Sequence, residues 1–344
     1  MIRRSPFAQL TLVKLREYTR EPEALFWVFV FPVVMALTLG IAFRAGDAGQ
    51  VRVAVVGDGA SAPLLRALSA DPRVIVRQTD SQSADALLRD GKVALVVVAG
   101  EPVGYRFDRT RPDSALARFT VDDVLQRASG RRDAFAPAEQ LIALPGSRYI
   151  DWLVPGLLGV NIMMTGLWGI SFGIGMSRAK KLLKRLSSTP MRRSHFLGAQ
   201  IAGRLVFLPA EAAILLVFAH FAFGVPFKGP LWLLALLTLI GAICGACMSL
   251  LIASRARSFE AVSGLINLAT MPMWIFSGVF FSSANFPEVM QPFIQALPLT
   301  ALNDSLRAVM LAGAGPVDVA HEIAIMGVWS IGCFAAALKI FRWQ

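Results

Sequence analysis

Charge-free stretches recur along this chain at lengths that suit a membrane crossing. Ala24–Phe43, Trp152–Ser177, Gly229–Ser254 and Ala261–Pro287 run for 20, 26, 26 and 27 residues without a charged side chain. About 20 apolar residues in a helix cover the ~30 Å hydrocarbon core of a bilayer. Two shorter runs carry one charge each: Leu205–Phe223 holds Glu211, and Ile323–Phe341 holds Lys339 near its end. Six membrane-spanning helices are therefore predicted, the first over 25–43 and five more within 149–344.

Between the first two runs the pattern changes. VRVAVVGDG (Val51–Gly59) is a strand run ending in a turn, APLLRALSADP has helical spacing, and VIVRQT alternates. SADALLRDGK is helical with Gly91 as its stop, VALVVVAG is a second apolar strand, VGYRFDRT adds another, and Asp113–Arg132 is helical again. Strands alternating with helices predict a small α/β domain with a partly parallel sheet over 44–148. VGDGAS lacks the G-x-x-x-x-G-K-[ST] spacing of a phosphate loop and reads as a turn.

The stretch before the first run, FAQLTLVKLREYTREPEALF, sets Leu10, Leu12, Val13 and Leu15 among basic residues. It predicts an interfacial helix over 1–24, bent into the membrane at Pro22. The apolar run that follows is longer than a signal-peptide core and is followed by no A-x-A site, so it reads as a retained span.

Composition agrees with a membrane class: 55% of the 344 residues are hydrophobic and only 17% charged. Soluble domains carry about 25% charged residues. The formal net charge of +11 is distributed unevenly. Arg3, Arg4, Lys14, Arg16 and Arg20 precede the first span, Arg255 and Arg257 follow the fourth, and Arg342 follows the sixth. The short connections on the other side hold only Lys228 and Arg307. Cytoplasmic loops retain Lys and Arg, so both termini are expected in the cytoplasm and the α/β domain outside.

SRAKKLLKRLSSTPMRR (Ser177–Arg193), between the second and third spans, holds seven basic residues and no acid. Positive-inside anchoring accounts for most of that charge. Nucleic acid is not the expected partner, because neither an exposed domain nor interleaved aromatics accompany it. Ala179, Leu182, Leu183 and Leu186 share one side, basic residues fill the rest, and Thr189-Pro190 ends the run. A short amphipathic helix on the membrane surface is predicted there.

Few residues suggest chemistry. Cys244 and Cys247 form a C-x-x-C inside an apolar span and read as small packing residues. His195, His220 and His321 are scattered without ligand spacing, and no G-x-S-x-G elbow occurs. Glu211, deep in its span, needs a partner on a neighbouring helix or a water-filled path. The pairs Gly169/Gly173 and Gly241/Gly245 serve close helix packing, within one subunit or between subunits. Val289–Asn303 is uncharged but contains Pro292 and Pro298, which favours a broken helical hairpin over a seventh span. It would cap the bundle or close an outer gate.

In this order, three segments resemble the ABC type-2 export permease family of drug and lipid exporters: LREYTREPEALFWVFVFPVVMALTLG, KRLSSTPMRR and MWIFSGVFFSSANFPEVMQPFIQALPLTALNDSLRAVML. The likeness spans nearly the whole chain, and the last segment, with PLT and a D-x-L-R at Asp304, Leu306 and Arg307, is the most specific. Where family members carry an acidic residue and a glycine before T-P, this chain reads SRAKKLLKRL.

The resemblance implies a transport subunit of a bacterial inner membrane that moves an amphipathic, drug-like or lipid-like cargo outward. A chain without a Walker sequence relies on a separate ATP-binding subunit, which holds ATP and Mg, and no cofactor is expected here. Its other implied partners are a second permease chain, identical or homologous, membrane lipids and a periplasmic adaptor. Coupling to the ATPase would fall on segment 177–193, with Arg178, Lys180, Lys181, Lys184, Arg185, Thr189 and Pro190. The re-entrant outer hairpin would cover about 284–312. Pathway or gate candidates are Glu211, Met163, Trp168, Met273, Trp274, Phe276, Phe280, Asp304 and Arg307, although the apolar ones equally suit lipid contact or helix packing. Two rival readings are a receptor or sensor with a ligand-binding outer α/β domain, and a membrane-embedded enzyme.

Overall fold

Proline positions govern how the first span is built. In the computed structural model, which describes residues 6–43, 50–57, 61–100, 102–132, 135, 146, 148–179, 181, 193–255 and 258–340, helices α1 (Pro6–Arg20) and α2 (Pro22–Leu25) lead into a π turn, Phe26–Val30, and then α3 (Phe31–Ala42). Pro32 has no N–H to donate to the carbonyl four residues earlier, that of Val28. Asn161 supplies the missing donor from another helix, its Nδ2 lying 3.0 Å from the Val28 oxygen. The π turn is thus the local adjustment by which a proline is carried inside an apolar helix.

The remaining bundle consists of α7 (Tyr149–Ala179), α8 (Arg193–Phe223), α9 (Leu231–Arg255), α10 (Phe259–Phe276), α11 (Gln291–Gln295), α12 (Pro298–Arg307) and α13 (Ala320–Ile340). Among the described residues, four helices are long and apolar enough to cross a membrane: Tyr149–Arg178, Gly198–Phe223, Leu231–Ser254 and Ala320–Ile340. Phe26–Ala42 is a shorter apolar helix, and α10 has 18 residues. Burial separates centre from periphery. The most apolar stretches of α7 and α9 are 67% and 61% buried, those of α8 and α13 only 22% and 17%, so α7 and α9 form the core.

Glycine lets those two backbones approach. A Cβ added at Gly245 on α9 would stand 2.7 Å from the Met163 carbonyl oxygen on α7, closer than real Cβ atoms come. Gly241/Gly245 therefore packs within the chain. Ser171 and Ser249 place their hydroxyls 2.7 Å apart across the same seam, and Ser249 Oγ donates to the Leu167 carbonyl at 2.9 Å.

The connection between α10 and α13 is broken as the prolines require. Short 3-10 turns over Ser283–Asn285 and Glu288–Met290 precede α11 and α12, with Pro292 and Pro298 in the first turns of those helices. A second π turn, Ala308–Ala312, ends at Gly313, whose φ of 74° suits glycine. Helix α12 is almost wholly buried, with Leu299, Leu302 and Leu306 fully inside.

Residues 45–142 form a separate compact unit. Strands β1 (Val51–Val56), β2 (Val74–Thr79), β3 (Leu95–Val98) and β4 (Gly104–Arg106) are ordered β2-β1-β3-β4. β1 pairs in parallel with β2 and β3, and β4 is antiparallel to β3. Alternation sets the faces: Val51, Val53 and Val55 bury against Leu68 of α4 (Ala62–Ser69) and Val121 and Val124 of α6 (Pro112–Ala128). Ala54 and Val56 face Ala84, Leu87 and Leu88 of α5 (Ser81–Arg89). Asp80 caps α5 by accepting from the Ser83 N–H, and Gly91 turns the chain at φ 70°. Of the VGDGAS turn, Asp58, Gly59 and Ala60 lie outside the described residues.

Candidate functional site

Charged and polar side chains inside an apolar bundle are costly, so their placement marks what the bundle is built around. The deepest group is Glu211 on α8. Its carboxylate pairs with Arg204 Nη2, two turns earlier on the same helix, and the side chains are 0% and 3% exposed. Thr165 on α7 completes the cluster. Its Oγ1 lies 3.0 Å from Glu211 Oε1 and 2.5 Å from the Asn161 carbonyl oxygen, and accepts from Arg204 Nη2. One hydroxyl proton serves only one of those two acceptors at a time. Arg204 Nε and Nη1 and the nearby Gln200 Nε2 are buried without a hydrogen-bond partner among the described residues. The sequence reading missed Arg204, although its i, i+7 spacing to Glu211 sets both on one helix face.

A second constellation lies at the proline-broken hairpin that follows α10. Arg307, the last residue of α12, donates to the Gly278 carbonyl and to Asp304 Oδ1 at 3.1 Å. Its guanidinium sits 3.7 Å from the Trp152 ring centroid on α7. Asn303 Nδ2 reaches the Ser277 carbonyl at 3.0 Å. These two side chains satisfy the backbone of the SGVFF turn, where Gly278 has φ 66°. Nearby, the fully buried Asp151 accepts from Arg148 Nη2 at 2.7 Å, while Arg148 also donates to the Phe223 and Gly224 carbonyls at the end of α8. Asp304 and Arg307 are thus brought together; Glu211 belongs to a different cluster.

At the other end of α7, Arg178 is turned onto α9, donating to the carbonyls of Ala253 at 2.8 Å and Ser254 at 3.3 Å. Lys181 is exposed in a turn. Lys180, Lys184, Arg185, Thr189 and Pro190 lie outside the described residues, and with them the predicted amphipathic helix.

The apolar pathway candidates are dispersed. Met163 and Met273 are buried in the bundle core, and Trp168, Phe276 and Phe280 pack against it. Trp274 is 41% exposed. Two separate ring contacts join α10 to the hairpin, Phe276 with Phe286 at 5.1 Å and Trp274 with Phe280 at 6.4 Å. Cys244, Cys247 and Cys333 are buried free thiols. No group of three metal-ligating side chains occurs among the described residues.

Comparison with known proteins places this arrangement in a family. The ABC-2 type transporter profile matches residues 77–311. The chain is similar to the probable multidrug ABC transporter permease YbhS of Escherichia coli, 23% identical over 92% of this chain and 91% of that one. It resembles ABC transporter G family member 20 of Dictyostelium discoideum, 27% identical over 50% of this chain but only 23% of that protein. The linearmycin resistance permease protein LnrN of Bacillus subtilis is 25% identical over 53% of this chain and 47% of its own length. The chain belongs to the ABC-2 type transporter family and is a multi-pass membrane permease subunit, a membership that implies an ABC ATP-binding partner.

Proposed function

We propose that the chain forms half of an ATP-driven exporter that moves amphipathic, drug-like or lipid-like molecules out across a bacterial inner membrane. The observation that carries this reading is the likeness to a probable multidrug permease along nine-tenths of both chains. The bundle supports it: α8 and α13 present mostly unburied apolar faces, suited to lipid and to a second permease chain, the same or homologous.

The spans are six, adding Phe26–Ala42 and α10 to the four long helices, with both termini in the cytoplasm and the α/β unit outside. The basic residues of the N-terminal tail and of segment 177–193 support that orientation. The latter segment couples the permease to the ATP-binding subunit, where ATP and Mg reside; this chain contributes no cofactor and no hydrolytic site. Glu211 with Arg204, and Asp304 with Arg307, hold the bundle in the arrangement that the ATPase alters. The outer unit presents a surface for cargo or for a periplasmic adaptor.

Co-purification from native membranes in mild detergent, followed by efflux assays in inverted vesicles, tests the proposal. A Walker-containing subunit should co-purify, and ATP should drive a bisbenzimide dye or a fluorescent phosphatidylcholine into the vesicle lumen. Recovery of the intact chain alone, or ATP-independent movement, would sink it.

A further inference from the structure

Helices α7 and α9 are joined at three levels. At the cytoplasmic level the Arg178 guanidinium holds the Ala253 and Ser254 carbonyls. These belong to the last turn of α9, where carbonyls lack internal donors and the helix dipole favours a cation. One level further in, Ile170 and Ile174 interlock with Ala246, Leu250 and Ala253. Ser171 and Ser249 meet at 2.7 Å, and Gly245 lies against the Met163 carbonyl. Sliding one helix past the other would break the arginine contacts and the fully buried hydroxyl contacts, and no water replaces the latter.

From α9 the contact continues outward. A Cβ at Gly241 would stand 2.6 Å from Leu302 Cδ2, so α12 rests directly on the α9 backbone. The same short helix ends in Arg307, bound to Gly278 and Trp152.

We infer that α7 and α9 move as one body, that Arg178 is the positioning residue joining them, and that displacement of segment 177–193 reaches the outer hairpin through α9 and Leu302. This deepens the proposed function and rests on its coupling role for that segment. Close-packed interiors pass displacement on rather than absorb it. Arg178 then acts within the chain, through α9.

The test uses the permease assembled with its ATP-binding subunit in liposomes, with Ser171→Cys and Ser249→Cys introduced into a chain whose Cys244, Cys247 and Cys333 are alanine. Transport of whichever probe the native complex moves, dye or fluorescent phosphatidylcholine, is compared before and after oxidation. Cross-linking should leave transport within about twofold, since it ties parts that do not move apart. Transport lost on oxidation and regained on reduction would overturn the inference. Independently, Arg178→Ala should lower the number of molecules moved per ATP hydrolysed by roughly fivefold, the scale of an altered coupling contact, with Arg178→Lys recovering part. An unchanged ratio in Arg178→Ala also overturns it. If the reduced, assembled complex hydrolyses ATP but moves neither probe, the proposed function falls and the inference with it.

Discussion

Arg204 and Glu211, two turns apart on α8, form an ion pair whose side chains are 3% and 0% exposed. Two charges taken out of water nearly offset their own attraction, so such a pair adds little net stability, yet losing one member strands the other. Arg204→Leu or Glu211→Leu alone should cost about 3–5 kcal/mol, whereas the double leucine variant should approach the native value. Thermal unfolding of purified protein in one detergent gives the ranking. A single variant as stable as the native chain would mean that the surviving charge reaches water.

Arg307 should tolerate lysine poorly. Its planar head group lies over Trp152, 3.7 Å from the ring centroid, while its nitrogens serve the Gly278 carbonyl and Asp304. Lysine keeps the charge but cannot stack flat and bind two acceptors in a fork. Arg307→Lys should therefore lose roughly 1–3 kcal/mol, the scale of one charged hydrogen bond plus stacking. Limited proteolysis between Ser282 and Gln291 should detect the loosened turn before global unfolding does. Cleavage at the native rate in Arg307→Lys would show that charge alone holds the hairpin.

Much of the architecture was legible because it follows one-dimensional patterns. Strands β1 to β3 coincide with VRVAVV, VIVRQT and LVVV, and α5 stops at Gly91. The long apolar helices and the proline-broken hairpin were visible for the same reason. Which face of an apolar helix looks inward was not, since a span that is hydrophobic all round has no period to read. Met163 and Trp274 therefore looked alike, although one is fully buried and the other 41% exposed. Partners that are backbone atoms were equally hidden: sequence gives no sign that Asn161 answers the Val28 carbonyl freed by Pro32, or that Arg178 holds Ala253. Arg204 was discoverable from its spacing to Glu211.

Glycines of the bundle should divide into two groups on substitution by alanine. A Cβ at Gly159 would fall 2.1 Å from Asn303 Oδ1, and one at Gly241 would fall 2.6 Å from Leu302 Cδ2. Both press on α12, so each alanine should cost about 1–3 kcal/mol by overpacking. Gly264, Gly327 and Gly332 have nothing within 4 Å of an added Cβ. Alanine at those helical positions should be neutral or gain up to ~1 kcal/mol through helix propensity. The comparison is made by thermal unfolding under one condition, and equal losses in both groups would refute the close approach of α9 to α12.

Acid should loosen the α/β unit through a single cluster. Arg73 hydrogen-bonds Asp71 at 2.9 Å and Asp123 at 3.1 Å, and Asp123 also accepts from Arg127 and Arg131. The hydrogen bond from Arg73 is the main reason that the Asp71 carboxyl lies below its ordinary value of 3.8. Burial pushes Asp123 upward, but hydrogen bonds from Arg73 and Arg131 and the charge of Arg127 prevail and hold it low. Because the unfolded chain binds these protons first, at about pH 3.9, the stabilisation is fully present above that pH. It is lost as pH falls through the lower folded values. The groups are partly exposed, so the whole cluster is worth only about 1 kcal/mol. Asp123→Asn should lower the unit's stability at pH 7 by roughly that amount and flatten its fall below pH 4. Urea unfolding of the intact chain, followed by a fluorophore on a cysteine at the exposed Gln82, reads both quantities. A variant as acid-sensitive as the native chain would assign the acid response to carboxylates outside this cluster.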